Sequence, residues 1–149
     1  MLKAKDLMQE DLTAVQLYDS LSRAAKIMSG RQLSGLPVVD PHDRVIGFIS
    51  ERDIIIAAFP ECLPVHAAEV VPFSRLSAAV KRLSSQGKAK ISDFISPELF
   101  AVNEDTPIFN VTELLLGKGI KRLPVLRQGR LVGVIERASL SQLALEEGV

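Results

Sequence analysis

The sequence predicts an α+β fold assembled from two copies of one small unit, and three observations predict it. The chain repeats itself at an offset of 87 residues, from Pro37 to Pro124. Each copy alternates helically spaced apolar residues with short β-branched runs split by turn residues. The chain has 149 residues, 47% apolar and 24% charged, the make-up of an ordinary folded protein. Leu33-Ser34-Gly35-Leu36-Pro37-Val38-Val39 aligns with Ile120-Lys121-Arg122-Leu123-Pro124-Val125-Leu126. The same shift maps Asp6 on Asp93, Ala14-Val15 on Ala101-Val102, Asp19 on Thr106 and Gly30 on Gly117. Beyond the prolines the offset falls to 86, pairing Gly47 with Gly133, so the second turn is one residue shorter.

In chain order, a first strand falls near 14–17, with its counterpart near 100–102. Asp19 and Thr106 read as helix N-caps, and Pro107 suits a first helical turn. Helices over 20–29 and 107–117 follow from the spacing of Leu21, Ala24, Ala25, Ile27 and Met28, and of Ile108, Val111, Leu114 and Leu115. Gly30 and Gly117 are the expected stops. Hairpins come next: strands 36–39 and 45–49 flank Asp40-Pro41-His42-Asp43, and strands 123–126 and 131–135 flank Arg127-Gln128-Gly129. A second helix closes each copy, over 51–59 and 137–146. The domain organisation is then repeat 1 at 1–59, a linker at 60–90 and repeat 2 at 91–149. Pro60, Pro64 and Pro72 break the linker, and Leu76, Ala79, Val80 and Leu83 predict a connecting helix over 75–86.

Composition excludes several classes of function. The 18 Lys and Arg balance 18 Asp and Glu, so no general attraction to nucleic acid or anionic lipid is expected. The apolar run 54–59 is far short of the roughly 20 residues of a membrane span, and the charges from Lys3 to Asp11 leave no secretory signal legible. The lone Cys62 fits a reducing compartment, so a cytoplasmic location is expected; with only His42 and His66 beside it, a zinc site is not. Phe73, Phe94, Phe100 and Phe109 have no interleaved basic residues of the kind a single-strand groove uses. Ser34 and Ser50 have no neighbouring histidine and lie in no nucleophile-elbow pattern, so no catalytic residue is assigned and an enzyme is not expected.

These features together carry a resemblance. Asp6-Leu7-Met8 and Asp93-Phe94-Ile95 open the copies, Leu36-Pro37-Val38 and Leu123-Pro124-Val125 recur in register, and the Gly47-to-Asp53 segment matches Gly133-to-Ser139. The chain resembles a tandem pair of cystathionine β-synthase-type (CBS) domains, a Bateman module. That resemblance implies two βαββα repeats packed sheet to sheet about a pseudo-twofold axis, with two clefts for an adenosyl ligand: AMP, ADP, ATP or S-adenosylmethionine. It implies a sensor that needs no cofactor beyond its regulatory ligand. A homodimer is expected, supported by the apolar Ile54-Ile55-Ile56 with Phe59 and by Leu140, Leu143, Ala144 and Leu145. An unidentified effector protein would receive the output, because the chain offers no effector domain of its own.

The candidate site is Gly47-Phe48-Ile49-Ser50-Glu51-Arg52-Asp53. Gly47 lets another group approach the strand. Ser50 stands where strand becomes helix, at the positive end of the helix dipole. Asp53 offers oxygens to ribose hydroxyls, and Arg52 a planar guanidinium to phosphate. The resemblance assigns phosphate to the Ser50 position and ribose to the Asp53 position. The same Ser50-to-Asp53 spacing is also that of a capping box, which would start a helix in a protein that binds nothing.

In the second copy Glu136 replaces the hydroxyl and Ser139 the acid, with Arg137 between them. Unequal clefts are expected, the Asp53 one favoured. Lys121-Arg122 places positive charge on a turn, open to a phosphate role or to plain solvation. By the resemblance, Thr13 and Ala14 line the adenine pocket, and Pro37 and Pro124 fix turns beneath the base.

Overall fold

The computed structural model describes residues 1–58, 88–95 and 98–147. The expected helix over 75–86, and Cys62, His66 and Phe73 with it, lie outside the described residues. The elements run α1 (Ala4–Leu7), β1 (Val15–Gln16), α2 (Leu21–Arg31), β2 (Gly35–Val39), β3 (Val45–Ser50) and α3 (Glu51–Ala58). A 3-10 turn at Ile91–Asp93 opens the second copy. It continues with β4 (Val102–Asn103), α4 (Ile108–Lys118), β5 (Arg122–Arg127), β6 (Arg130–Glu136) and α5 (Arg137–Glu147). Two three-stranded sheets result, ordered β1-β2-β3 and β4-β5-β6. The α+β class and the repeated element order are as the sequence predicts.

The compact units cut across the sequence repeats. One holds Met1–Ala14, Val39–Ile46 and Glu98–Val149; the other holds Val15–Val38 and Gly47–Pro97. The cause is an exchange of opening segments. In the first unit, Ala4 N–H donates to the Thr106 carbonyl (2.8 Å), Lys5 N–H to Glu104 (2.9 Å) and Ile108 N–H to Leu2 (3.0 Å). In the second, Ile91 N–H donates to Asp19, Ser92 N–H to Leu17 and Leu21 N–H to Ala89, each at 2.9 Å. These bonds correspond one to one under the 87-residue shift. Each opening segment therefore supplies a carbonyl to the otherwise unpaired first turn of the other repeat's helix.

The cores follow the same division. Val15, Leu21, Ala24, Met28, Leu36, Val38, Ile49 and Ile54 pack with Ile91, which comes from the second copy's opening. Val102, Val111, Leu115, Leu123, Val125 and Ile135 pack with Ala4, from the first copy's opening.

Several local expectations are corrected. The N-caps are Ser20, whose Oγ accepts from Arg23 N–H at 3.1 Å, and Pro107. Asp19 and Thr106 stand one residue earlier and tie the preceding loop instead: Asp19 accepts from Gln16 N–H at 2.7 Å and Thr106 from Asn103 N–H at 3.1 Å. Both helices run through Gly30 and Gly117 and end on left-handed residues, Gln32 (φ 56°) and Gly119 (φ 64°). Gly119 takes that conformation at no steric cost, whereas Gln32 does not.

Pro37 and Pro124 do not fix turns; both are buried inside strands β2 and β5. Pro124 faces Val134 across the β5–β6 pair. Val134 spends both its N–H and its carbonyl on Gln9, at 2.9 and 2.8 Å, so its facing residue is in a non-hydrogen-bonded position and the missing proline N–H costs that ladder nothing. The turn between these strands is Gln128-Gly129, with φ of 51° and 79°, the two positive values a type I′ hairpin requires.

Candidate functional site

Strand β3 delivers Ser50 to the first turn of α3. There Ser50 and Asp53 bond reciprocally: Ser50 N–H donates to Asp53 Oδ2 at 2.9 Å, and Asp53 N–H donates to Ser50 Oγ at 3.1 Å. Both residues are half-buried, whereas Arg52 between them is exposed. Glu51 N–H donates to the Ser34 carbonyl at 2.9 Å, which ties the helix start to the chain entering β2. The capping box expected from the spacing is thus formed in full. It also presents, on one helical turn, a hydroxyl, a carboxylate and first-turn N–H groups at the positive end of an eight-residue helix. Pro37 lies in the same unit, buried in the strand next to β3.

Gly47 does admit a close approach, but by the protein itself. A Cβ there would stand 3.1 Å from Ile95 Cδ1, a side chain of the opening segment of the second copy.

The start of α5 shares this frame. Arg137 N–H donates to the Lys121 carbonyl at 2.9 Å, the counterpart of the Glu51–Ser34 bond. Its side chains are arranged differently. Glu136 faces Arg122 directly across the β5–β6 pair, and its carboxylate accepts from the Arg122 guanidinium. A second carboxylate, Asp11 Oδ2, lies 3.3 Å from the same guanidinium. Asp11 Oδ1 in turn accepts from the Thr13 hydroxyl at 2.6 Å and the Thr13 N–H at 3.0 Å.

The expectation that Lys121 and Arg122 form a basic turn is corrected for Arg122. Lys121 is exposed, but Arg122 is a strand residue whose side chain is 1% exposed. A charge so buried is tolerable only when paired, and two carboxylates pair it. Its Nε–H has no hydrogen-bond partner among the described residues.

One unit therefore gathers Thr13, Ala14, Lys121, Arg122, Pro124, Arg137 and Ser139, and the other Pro37, Ser50, Arg52 and Asp53. Thr13 joins the Arg122 cluster, and Ala14 packs against Val39, Val45, Leu131 and Val134. Ser139 is half-buried and Arg137 exposed in the first turn of α5. Sequence reasoning missed Asp11 altogether and missed the pairing of Glu136. Counting back from Gln128-Gly129 sets Arg122 opposite 135, not Glu136. The register shift between Val125 and Leu126 corrects this by one residue.

Carboxylates held below their ordinary range lie elsewhere. A backbone hydrogen bond from Arg44 lowers Asp40, paired hydrogen bonds from the Arg127 guanidinium lower Glu104, and a hydrogen bond from Lys5 lowers Asp105. Among the described residues no cluster of His, Cys, Asp and Glu is arranged to hold a metal. No described helix is long and apolar enough to cross a membrane.

Comparison with known proteins places this geometry in a family. An uncharacterized Bacillus subtilis protein, YlbB, is 27% identical over 142 residues, spanning 95% of this chain and 81% of its own. A CBS domain-containing protein of Dictyostelium discoideum is 28% identical over 143 residues, 95% of this chain and 90% of its own. Among solved structures, CBSX2 in complex with AMP superposes with a TM-score of 0.74 at 23% identity, covering 100% of both chains; CBSX2 is from Arabidopsis thaliana. The CBS domain pair of MJ0100, in complex with 5′-methylthioadenosine and S-adenosyl-L-methionine, superposes with a TM-score of 0.67 at 21% identity, covering 99% and 98%. The CBS domain model matches twice, at residues 4–59 and 91–146, and the chain therefore belongs to the CBS domain family as a tandem pair.

Proposed function

We propose that this CBS pair is a regulatory sensor for an adenosyl compound, an adenine nucleotide or S-adenosylmethionine, held at the start of α3. The observation that carries the reading is the Ser50–Asp53 turn: a half-buried carboxylate three residues after a half-buried hydroxyl, at the N-terminus of a helix. Asp53 would accept from the ribose hydroxyls, and Ser50 with the first-turn N–H groups would take the phosphate or its substitute. Arg52, exposed beside them, adds a mobile cation. That CBSX2 binds AMP and the MJ0100 pair binds S-adenosyl-L-methionine supports the class of ligand.

The reading is of a binding module, not an enzyme, with its output passed to a separate effector protein. Homodimerisation through helical faces belongs to the same proposal: Ile55, Phe109, Leu116 and Leu145 are apolar and exposed on α3, α4 and α5. Ile54, by contrast, is spent on the core of its own unit. A cytoplasmic location is proposed on the single cysteine.

A second reading, a structural dimerisation module without ligand, is favoured by one observation. The Ser50–Asp53 box satisfies its own donors and needs no ligand to do so. Thermal unfolding with AMP, ATP or S-adenosylmethionine separates the two. A ligand at ~100 times its Kd stabilises by about 2.7 kcal/mol, and Asp53→Ala should remove that shift. No shift with any of the three favours the structural module.

A further inference from the structure

Arg122 is buried, and the half-buried carboxylates of Asp11 and Glu136 close on it. At the positions equivalent to Arg122 and Glu136, the first repeat has Gly35 and Ser50. The second repeat thus carries an ion pair where the first carries an uncharged pair of small residues. Arg122 is 1% exposed, and two carboxylates already hold its guanidinium. Two carboxylates thus share one guanidinium beside the first turn of α5. A phosphate arriving there would meet Glu136 at close range, and Arg122, the buried cation among the described residues, is already paired with two carboxylates. Arg137 is exposed and stays in high-dielectric surroundings, where its attraction is weak.

We propose that this cluster is a built-in occupant of the second-repeat position: Glu136, anchored by Arg122, closes it to phosphate, and the module takes one phosphorylated adenosine per chain. Glu136 is then the specificity-determining residue, and Arg122 and Asp11 position it. The proposal rests on the reading that Asp53 marks a nucleotide site.

Isothermal titration of the intact chain with AMP counts sites with no substitution at all. The expected result is one AMP per chain, abolished by Asp53→Ala. Two AMP per chain overturns this inference and leaves the nucleotide reading standing. No binding of AMP, ATP or S-adenosylmethionine overturns the nucleotide reading itself, and this inference with it.

The triple variant Arg122→Gly, Glu136→Ser, Ser139→Asp copies the first repeat into the second. It should bind a second AMP; a folded triple variant that still binds one overturns the role of Glu136. If the triple variant has no cooperative melt, Glu136→Gln serves in its place, keeping an acceptor for Arg122 while removing the charge. A second, weaker AMP is expected there, and an unchanged count of one overturns the proposal.

Discussion

Met8 lies directly on Gly133: a Cβ at that glycine would stand 2.8 Å from the methionine sulfur and 2.6 Å from the Gln9 carbonyl oxygen. The opening segment of the first copy crosses β6 there and pairs with Val134 in both directions. At the equivalent Gly47, the nearest atom is the flexible Ile95 Cδ1 at 3.1 Å. Gly133→Ala forces a hydrogen-bonded backbone to move and should cost about 2 kcal/mol, whereas Gly47→Ala should cost less than about 1 kcal/mol. Urea unfolding of both variants measures the difference; equal costs would mean that the segment does not press on β6.

Capping and ligand binding at Asp53 are separable. Asp53→Asn keeps an oxygen for the Ser50 N–H, so the folded baseline should fall by less than about 0.5 kcal/mol. A ribose hydroxyl loses its charged acceptor, and the affinity for AMP should drop about tenfold. Melting curves and titration on one sample check both numbers. Unchanged affinity would place the ribose elsewhere.

Arg122 holds two carboxylates together, and Arg122→Met should destabilise the fold by about 3 kcal/mol, because both acids then stay close with no cation between them. Arg122→Met combined with Glu136→Leu should recover part of that loss, since an apolar pair replaces the ionic one. A double variant less stable than the single would show that Glu136 has a structural partner besides Arg122.

Glu104 should titrate below the ordinary glutamate value of 4.5, because Arg127 donates to both its oxygens at 2.8 and 2.7 Å. A carboxylate whose folded value is depressed adds stability that is present above the unfolded value and lost as pH falls through the folded one. Carboxyl chemical shifts followed through acid pH measure it, and Arg127→Ala should return Glu104 toward 4.5. A value unmoved by that substitution would sink the assignment.

The β5–β6 turn invites a stabilising change. Gln128 sits at φ 51°, a conformation that asparagine adopts more readily, and Asn-Gly is the preferred type I′ pair. Gln128→Asn should raise stability by about 0.5 kcal/mol, read as a higher denaturation midpoint with an unchanged slope.

The sequence by itself determined the two copies, their order of elements, the hairpins and the Ser50–Asp53 turn, because each is a local pattern of spacing, capping or turn chemistry. It marked Gly47 as a place of close approach without saying what approaches, and paired Gly133 with it only through the repeat. Only the tertiary structure decided that Met8 and Ile95 fill them, since the exchange of opening segments joins residues from 48 (Gly47 and Ile95) to 125 (Met8 and Gly133) positions apart and leaves no periodic trace. It likewise decided that Arg122 is buried and neutralised, not displayed on a turn. A one-residue register shift sets Arg122 opposite Glu136, and the crossing of a distant segment brings Asp11 to the same guanidinium.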